Sequence, residues 1–200
     1  MSSKLKRKSK NKYFSQSDMQ GMREYASRVN NTNKLLSDAY YNIKTIAFQI
    51  LHLDEGFGNK RLGRLDEYMD IFLEDAEVQK ISTKALEENF IKKTKINIRE
   101  EANLVPFRER FYVTRYKIHP ESQRQAGFEL LGSISVSFLI LGLVLKEKFK
   151  FSANQIRKLY CRIRDHINTL SRFKQFGLTL DGVAEGLMED TKYEVRKFSA

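Results

Sequence analysis

The sequence has no tryptophan, one cysteine and two prolines, and glycine is sparse at ten residues. A lone Cys161 excludes an intramolecular disulfide and a multi-cysteine zinc site. It lies off the apolar stripe of its segment, as a bystander thiol would, and suits a reducing cytoplasm. So few breakers favour long helices joined by short connections. The three histidines, His52, His119 and His166, are scattered without metal-ligand spacing. No Gly-x-Ser-x-Gly, His-Glu-x-x-His or paired-cysteine pattern occurs. Carboxylate pairs such as Asp54-Glu55, Glu74-Asp75 and Glu189-Asp190 read as helix-end and surface charge. The sequence therefore predicts no catalytic residue, no metal and no cofactor, and a protein that is not an enzyme.

What is present is positive charge. The 200 residues carry a formal net charge of +11, with 41% hydrophobic and 30% charged side chains. A balance this basic favours a polyanionic partner, most often nucleic acid. The first residues, MSSKLKRKSKNK, hold Lys4, Lys6, Arg7, Lys8, Lys10 and Lys12, and residues 1–15 read as a disordered basic tail. The body stays basic without them. Polar residues follow the basic start, so no secretory signal is expected there. The most apolar run, ISVSFLILGLVL at 134–145, is shorter than the roughly 20 residues a bilayer span takes. It reads as a buried core helix, with no membrane partner.

The chain reads as one unit occurring twice, and its second copy, 139–195, is the clearer. The apolar run leads into KEKFKFS and then ANQIRKLYCRIRDHINTL. There Ile156, Leu159, Tyr160, Ile163, Ile167 and Leu170 recur at helical spacing on one face. Thr179 offers an N-cap for a short helix, and TKYEV closes the unit. Earlier, IAFQIL at 46–51 leads into HLDEGFGNKRLGRLDEYMDIFL, then STKALEENFIKK and TKINI. A shift of 94 positions lays Leu51 on Leu145, Phe57 on Phe151, Leu62 on Ile156, Leu65 on Leu159 and Met69 on Ile163. After three extra residues, Glu88 falls on Glu185, Thr94 on Thr191 and Lys95 on Lys192. Identity is low while the apolar phase is kept; either duplication or the general likeness of amphipathic helix pairs explains it.

In chain order, a long helix is expected from Ser17-Asp18. Met22, Tyr25, Val29, Thr32, Leu36, Ala39, Ile43, Ile46, Ile50 and Leu53 alternate at three and four, a heptad seam. It suits either a homodimer seam over residues 22–53 or one core helix of a monomer. The patch Asn30-Asn31-Thr32-Asn33 is a poor helix former and a candidate break. Next, Gly56 and Gly58 bracket Phe57 in a tight turn before Lys60, Arg61 and Arg64. Two readings stand: a phosphate held by amides and cations at a helix start, or a structural turn plugged by Phe57. Between the units, Pro106 and Pro120 bracket FRERFYVTRYKIH. Its Phe111, Tyr112, Val113, Tyr116 and Ile118 favour an extended strap, a candidate β-strand. Arg108, Arg110, Arg115 and Lys117 interleave with Phe107, Phe111, Tyr112 and Tyr116, a mix suited to single strands or RNA; an inter-unit strap packed on both halves explains the same pattern.

LHLDEGFGNKR at 51–61 resembles a pattern in small helical proteins of phages and prophages of Gram-positive bacteria, a group with no assigned activity. That pattern runs approximately Leu-His-Asp-x-x-Gly-Phe-Gly-x-x-Arg between two helices. Leu51, His52, Gly56, Phe57, Gly58 and Arg61 match, Leu53 departs where the pattern has Asp, and the second copy puts Lys150 and Ser152 where the glycines stand. The resemblance covers roughly 46–98 and, more weakly, 139–195. It implies a phage origin.

The expectation is thus a mostly α protein: a basic tail (1–15), one helical unit (16–98), a strap (99–131) and a second unit (132–200). The expected function is that of a phage-encoded accessory protein that contacts nucleic-acid phosphates in the host cytoplasm, as a regulator or in replication or packaging. Its expected contacts are Lys4, Lys6, Arg7, Lys8, Lys60, Arg61, Arg64, Arg108, Arg110, Arg115, Tyr116, Arg157, Lys158, Arg162 and Arg164. The alternative is an adaptor or inhibitor that docks on a host or phage protein through a helical surface.

Overall fold

The computed structural model describes the backbone of residues 16–196 and the side chains of residues 31–196 apart from Glu77. Among the described residues the fold is all α, with no strand. Seven helices follow in order: α1 (Gln16–Glu55), α2 (Asn59–Val78), α3 (Thr83–Thr94), α4 (Ile98–Asn103), α5 (Gln123–Lys148), α6 (Ala153–Phe173) and α7 (Leu180–Thr191). α1 runs unbroken for 40 residues, through the candidate break at 30–33. Its seam is spent inside the chain: Ala39, Ile43, Ile46 and Ile50 are buried, while Leu53 at the far end is 63% exposed. That stretch packs inside the chain, while the side chains of the seam residues Met22, Tyr25 and Val29 lie outside the described residues.

α5 is the central helix and packs chiefly on α1, then on α2, α4, α3 and α6. Ile134 and every residue from Ser137 to Leu145 are buried. The stretch Pro120–Lys148 is long and apolar enough to cross a membrane by length and composition, yet 67% of its most apolar window lies inside the protein. Gly142 is required by close approach. A Cβ there would come within 3.0 Å of both the Tyr160 hydroxyl and the Phe90 ring. On α6 the six predicted stripe residues, Ile156 to Leu170, are all buried. A capping box formed by Ser152 and Gln155 starts that helix, and Thr179 Oγ1, accepting from Gly182 N at 3.0 Å, starts α7.

Residues 94 to 97 positions apart share local geometry. Both inter-helix turns close with a six-to-one bond, Phe57 N to Leu51 O and Phe151 N to Leu145 O, each 3.1 Å. The left-handed residue is Gly56 (φ 63°) in one and Lys150 (φ 61°) in the other. α3 and α7 end alike, on Lys95 (φ 58°, ψ 28°) and Lys192 (φ 58°, ψ 26°). Thr94 and Thr191 each donate to the carbonyl four residues back, and each accepts from the amide two residues on. The third helices are exchanged, α3 packing on α5 and α7 on α1. Arg157 reaches the Lys95 carbonyl at 2.9 Å, and Asn59 the Lys192 carbonyl at 2.6 Å. Phe57 and Phe151 meet edge to face at 6.1 Å between the two turns.

The strap departs from expectation. It begins with α4, its last residues already belong to α5, and Glu109–Val113 curls into a 3-10 turn where a β-strand was a candidate. Strand-favouring side chains need a neighbouring strand to take their backbone groups. Here α1 supplies those partners from side chains. Asn42 Nδ2 donates to Val113 O at 3.0 Å, and Asp38 Oδ2 accepts from Thr114 Oγ1 at 2.9 Å and from Arg115 N at 2.8 Å.

Candidate functional site

The strap, held this way against α1, α5 and α6, leaves a groove of about 540 Å³ along its outer side. Four cationic residues line it, Arg108, Arg115, Lys117 and Lys174, with four aromatics, Phe107, Phe111, Tyr112 and Tyr116. No carboxylate lines it. Phe107 and Phe111 pack edge to face at 5.4 Å, and the Lys174 ammonium lies 5.6 Å from the centre of the Tyr112 ring. Arg108, Lys117 and Lys174 have no carboxylate partner among the described residues, so their charge is available to solvent. A concave surface lined by one sign of charge concentrates oppositely charged ligands.

Arg115 has a different part. It lies 3.5 Å from Asp38 and 3.0 Å from Asp181, donates to Asn42 Oδ1 at 3.0 Å, and sits over the Tyr41 ring. It braces the strap to α1 and to the start of α7. Arg110 is a structural residue as well: buried, it donates to the carbonyls of Val105 and Gly127, and burial holds its guanidinium below the ordinary arginine value. Two of its nitrogens, Nε and Nη1, are thereby committed to backbone carbonyls. The remaining expected cations do not line the groove. Arg164 pairs with Glu101 at 2.5 Å. Arg162 and Lys158 approach Asp54 at 3.2 and 4.0 Å. Arg157 is bound to the Lys95 carbonyl, and the Arg61 guanidinium stacks 3.8 Å over the Phe57 ring. Lys60 and Arg64 are exposed on α2 with no carboxylate partner among the described residues. Lys4, Lys6, Arg7 and Lys8 lie outside the described residues. Of the expected cations outside the groove, Lys158, Arg162 and Arg164 are thus paired with carboxylates, whereas Lys60 and Arg64 have no such partner among the described residues.

Phe57 is fully buried and plugs the glycine-bracketed turn. Lys174 is the groove residue that sequence reasoning missed. It lies in a short loop after α6 with no motif around it, and only the packing of α6 on the strap brings it there. A second polar cluster lies in the core. Lys44 Nζ meets Asp66 Oδ1 at 2.5 Å, and Asp66 Oδ2 accepts from Tyr193 Oη at 2.6 Å and from Arg196 N at 3.1 Å. Burial, with the Asp66 hydrogen bond second, pushes the Tyr193 hydroxyl up, so it stays a neutral donor. All donors are turned onto one carboxylate, which ties the closing segment 192–196 to α2. Among the described residues no group of three or more His, Cys, Asp or Glu could hold a metal ion.

Comparison with protein-family models, curated proteins and solved structures finds no match for this chain.

Proposed function

We propose that this protein binds nucleic acid through phosphate contacts, as a phage-encoded accessory or regulatory factor acting in the host cytoplasm. The observation that carries the reading is the groove whose lining joins Arg108, Lys117 and Lys174 to four aromatic rings without a carboxylate. Cations meet phosphates while aromatic faces meet bases, and the combination suits nucleic acid better than an acidic protein or a membrane surface. The net charge of +11 supports the same partner, and the tail adds attraction at long range. Phage origin rests on the turn pattern at 51–61 alone. The experiment is fluorescence anisotropy with duplex DNA, single-stranded DNA and RNA, from low to physiological salt, on the full chain and on a chain lacking residues 1–12. Binding that survives tail removal supports the reading; no binding to any of the three at low salt overturns it.

A second reading, docking on a host or phage protein, draws on Phe173 and Phe176. These rings lie 5.9 Å apart beside Lys174 and are 48% and 74% exposed. Loss of partner capture on Phe176→Ala, with nucleic-acid affinity unchanged, would favour it.

The units are also read as copies of one ancestor. Support comes from the paired turns, caps and left-handed lysines, and from the exchange of third helices.

A further inference from the structure

We infer that the strap groove takes single-stranded nucleic acid, with Tyr116 as the platform on which an unpaired base stacks. This rests on the nucleic-acid reading and names the form of the ligand. The groove's aromatics are not equivalent. Phe111 and Tyr112 are half-buried against the core, and Phe107 lies across Gly127, where a Cβ would collide with its ring. Tyr116 is 51% exposed, and among the described residues no ring or cation covers its face.

The backbone at Tyr116 is also held in place. Its amide donates to Thr114 Oγ1 at 3.2 Å, Thr114 donates to Asp38, and Arg115 is fixed by Asp38, Asn42 and Asp181. A platform whose backbone is fixed beforehand has less freedom to lose when a base lands on it.

Position supplies the second argument. Tyr116 and Lys117 line the groove described above and also a second one, again about 540 Å³. The lining of the second groove includes Lys34, His119, Gln125 and Glu129. A chain passing Tyr116 therefore has room and cations in both grooves, with Lys174 and Arg108 in one and Lys34 in the other. A single strand can expose a base there and keep its phosphates in both grooves. A duplex hides its base faces in the stack and gains nothing from an exposed ring.

The test uses the full chain and five probes of equal length: oligothymidylate, oligouridylate, an abasic deoxyribose-phosphate strand, duplex DNA and duplex RNA. Expected is tighter binding of at least one of the two base-bearing single strands than of the abasic strand. Tyr116→Ala should weaken that binding by roughly 5- to 150-fold, the span of one base–aromatic stack. Tyr116→Phe should retain it, and duplex binding should not change. Because the ring is exposed, the fold should survive, as circular dichroism would verify. Equal affinity for abasic and base-bearing strands, or indifference to Tyr116→Ala while Lys117→Ala and Lys174→Ala weaken every probe, overturns this inference and leaves phosphate binding intact. No binding to any probe at low salt overturns both.

Discussion

Lys44 and Asp66 form a buried ion pair at the two positions that Phe138 and Tyr160 occupy 94 residues further along. The second pair is a parallel stack with ring centres 4.4 Å apart. The pair Lys44 and Asp66 joins α1 to α2 by charge, and the pair Phe138 and Tyr160 joins α5 to α6 by stacked rings. Removing one partner of a buried pair strands the other charge and costs about 3–5 kcal/mol, whereas apolar replacement of both is often close to neutral. Lys44→Met alone should therefore destabilise strongly, and Lys44→Met with Asp66→Leu should lose less than the two single losses combined, with a remaining loss from the Tyr193 and Arg196 donors left without their acceptor. Urea unfolding of the two single variants and the double decides it; additive losses would mean that the pair is not coupled.

Asp70 lies one turn beyond Asp66 on α2, and its Oδ1 is buried without a hydrogen-bond partner. Burial pushes its carboxyl up, outweighing the opposing pull of Lys44 and Arg196, while Asp66 and Glu74 reinforce the rise. A carboxyl raised on folding contributes stability that is complete below its unfolded value and lost as pH rises through its folded value. Asp70→Asn should accordingly melt higher than the parent at neutral pH, and the two should converge in acid. Melting curves across that range test it, and a variant less stable at neutral pH would show that the carboxylate has a partner in solution.

Phe57 and Phe151 are both buried and touch edge to face. Each Phe→Ala should cost about 3–5 kcal/mol. Because they share a contact, the double variant should lose about 0.5–1.5 kcal/mol less than the two losses combined. A double-mutant cycle in denaturant measures this. Strict additivity would mean that the turns are independent, and would weaken the duplication reading.

Amphipathic period made α6 legible residue by residue, since one stripe of six apolar side chains can face only one core. The strap was not legible. Its shape is imposed by Asp38 and Asn42, more than 70 positions away in the chain, and nothing in FRERFYVTRYKIH announces those partners. For the same reason Arg110 and Arg115 read as ligand contacts, although folding turns one inward and commits the other to carboxylates. The ion pair left a faint trace: at the matching positions Lys44 and Asp66 become Phe138 and Tyr160, which marks those positions as interior. Lys174 left none, because a groove assembled from two distant loops has no linear pattern.

The central claim is that the groove, and not the tail alone, holds nucleic-acid phosphates. The most direct measurement is the salt dependence of affinity for a single-stranded oligonucleotide. It compares the parent, the chain without residues 1–12, and a variant carrying Arg108→Ala, Lys117→Ala and Lys174→Ala. Each phosphate contact on a single strand contributes about −0.7 to the slope of log affinity against log salt. The triple variant should therefore flatten the slope by about 2, and the tail-deleted chain should still bind. Full loss of binding on tail deletion, with the triple variant indistinguishable from the parent, would contradict the account.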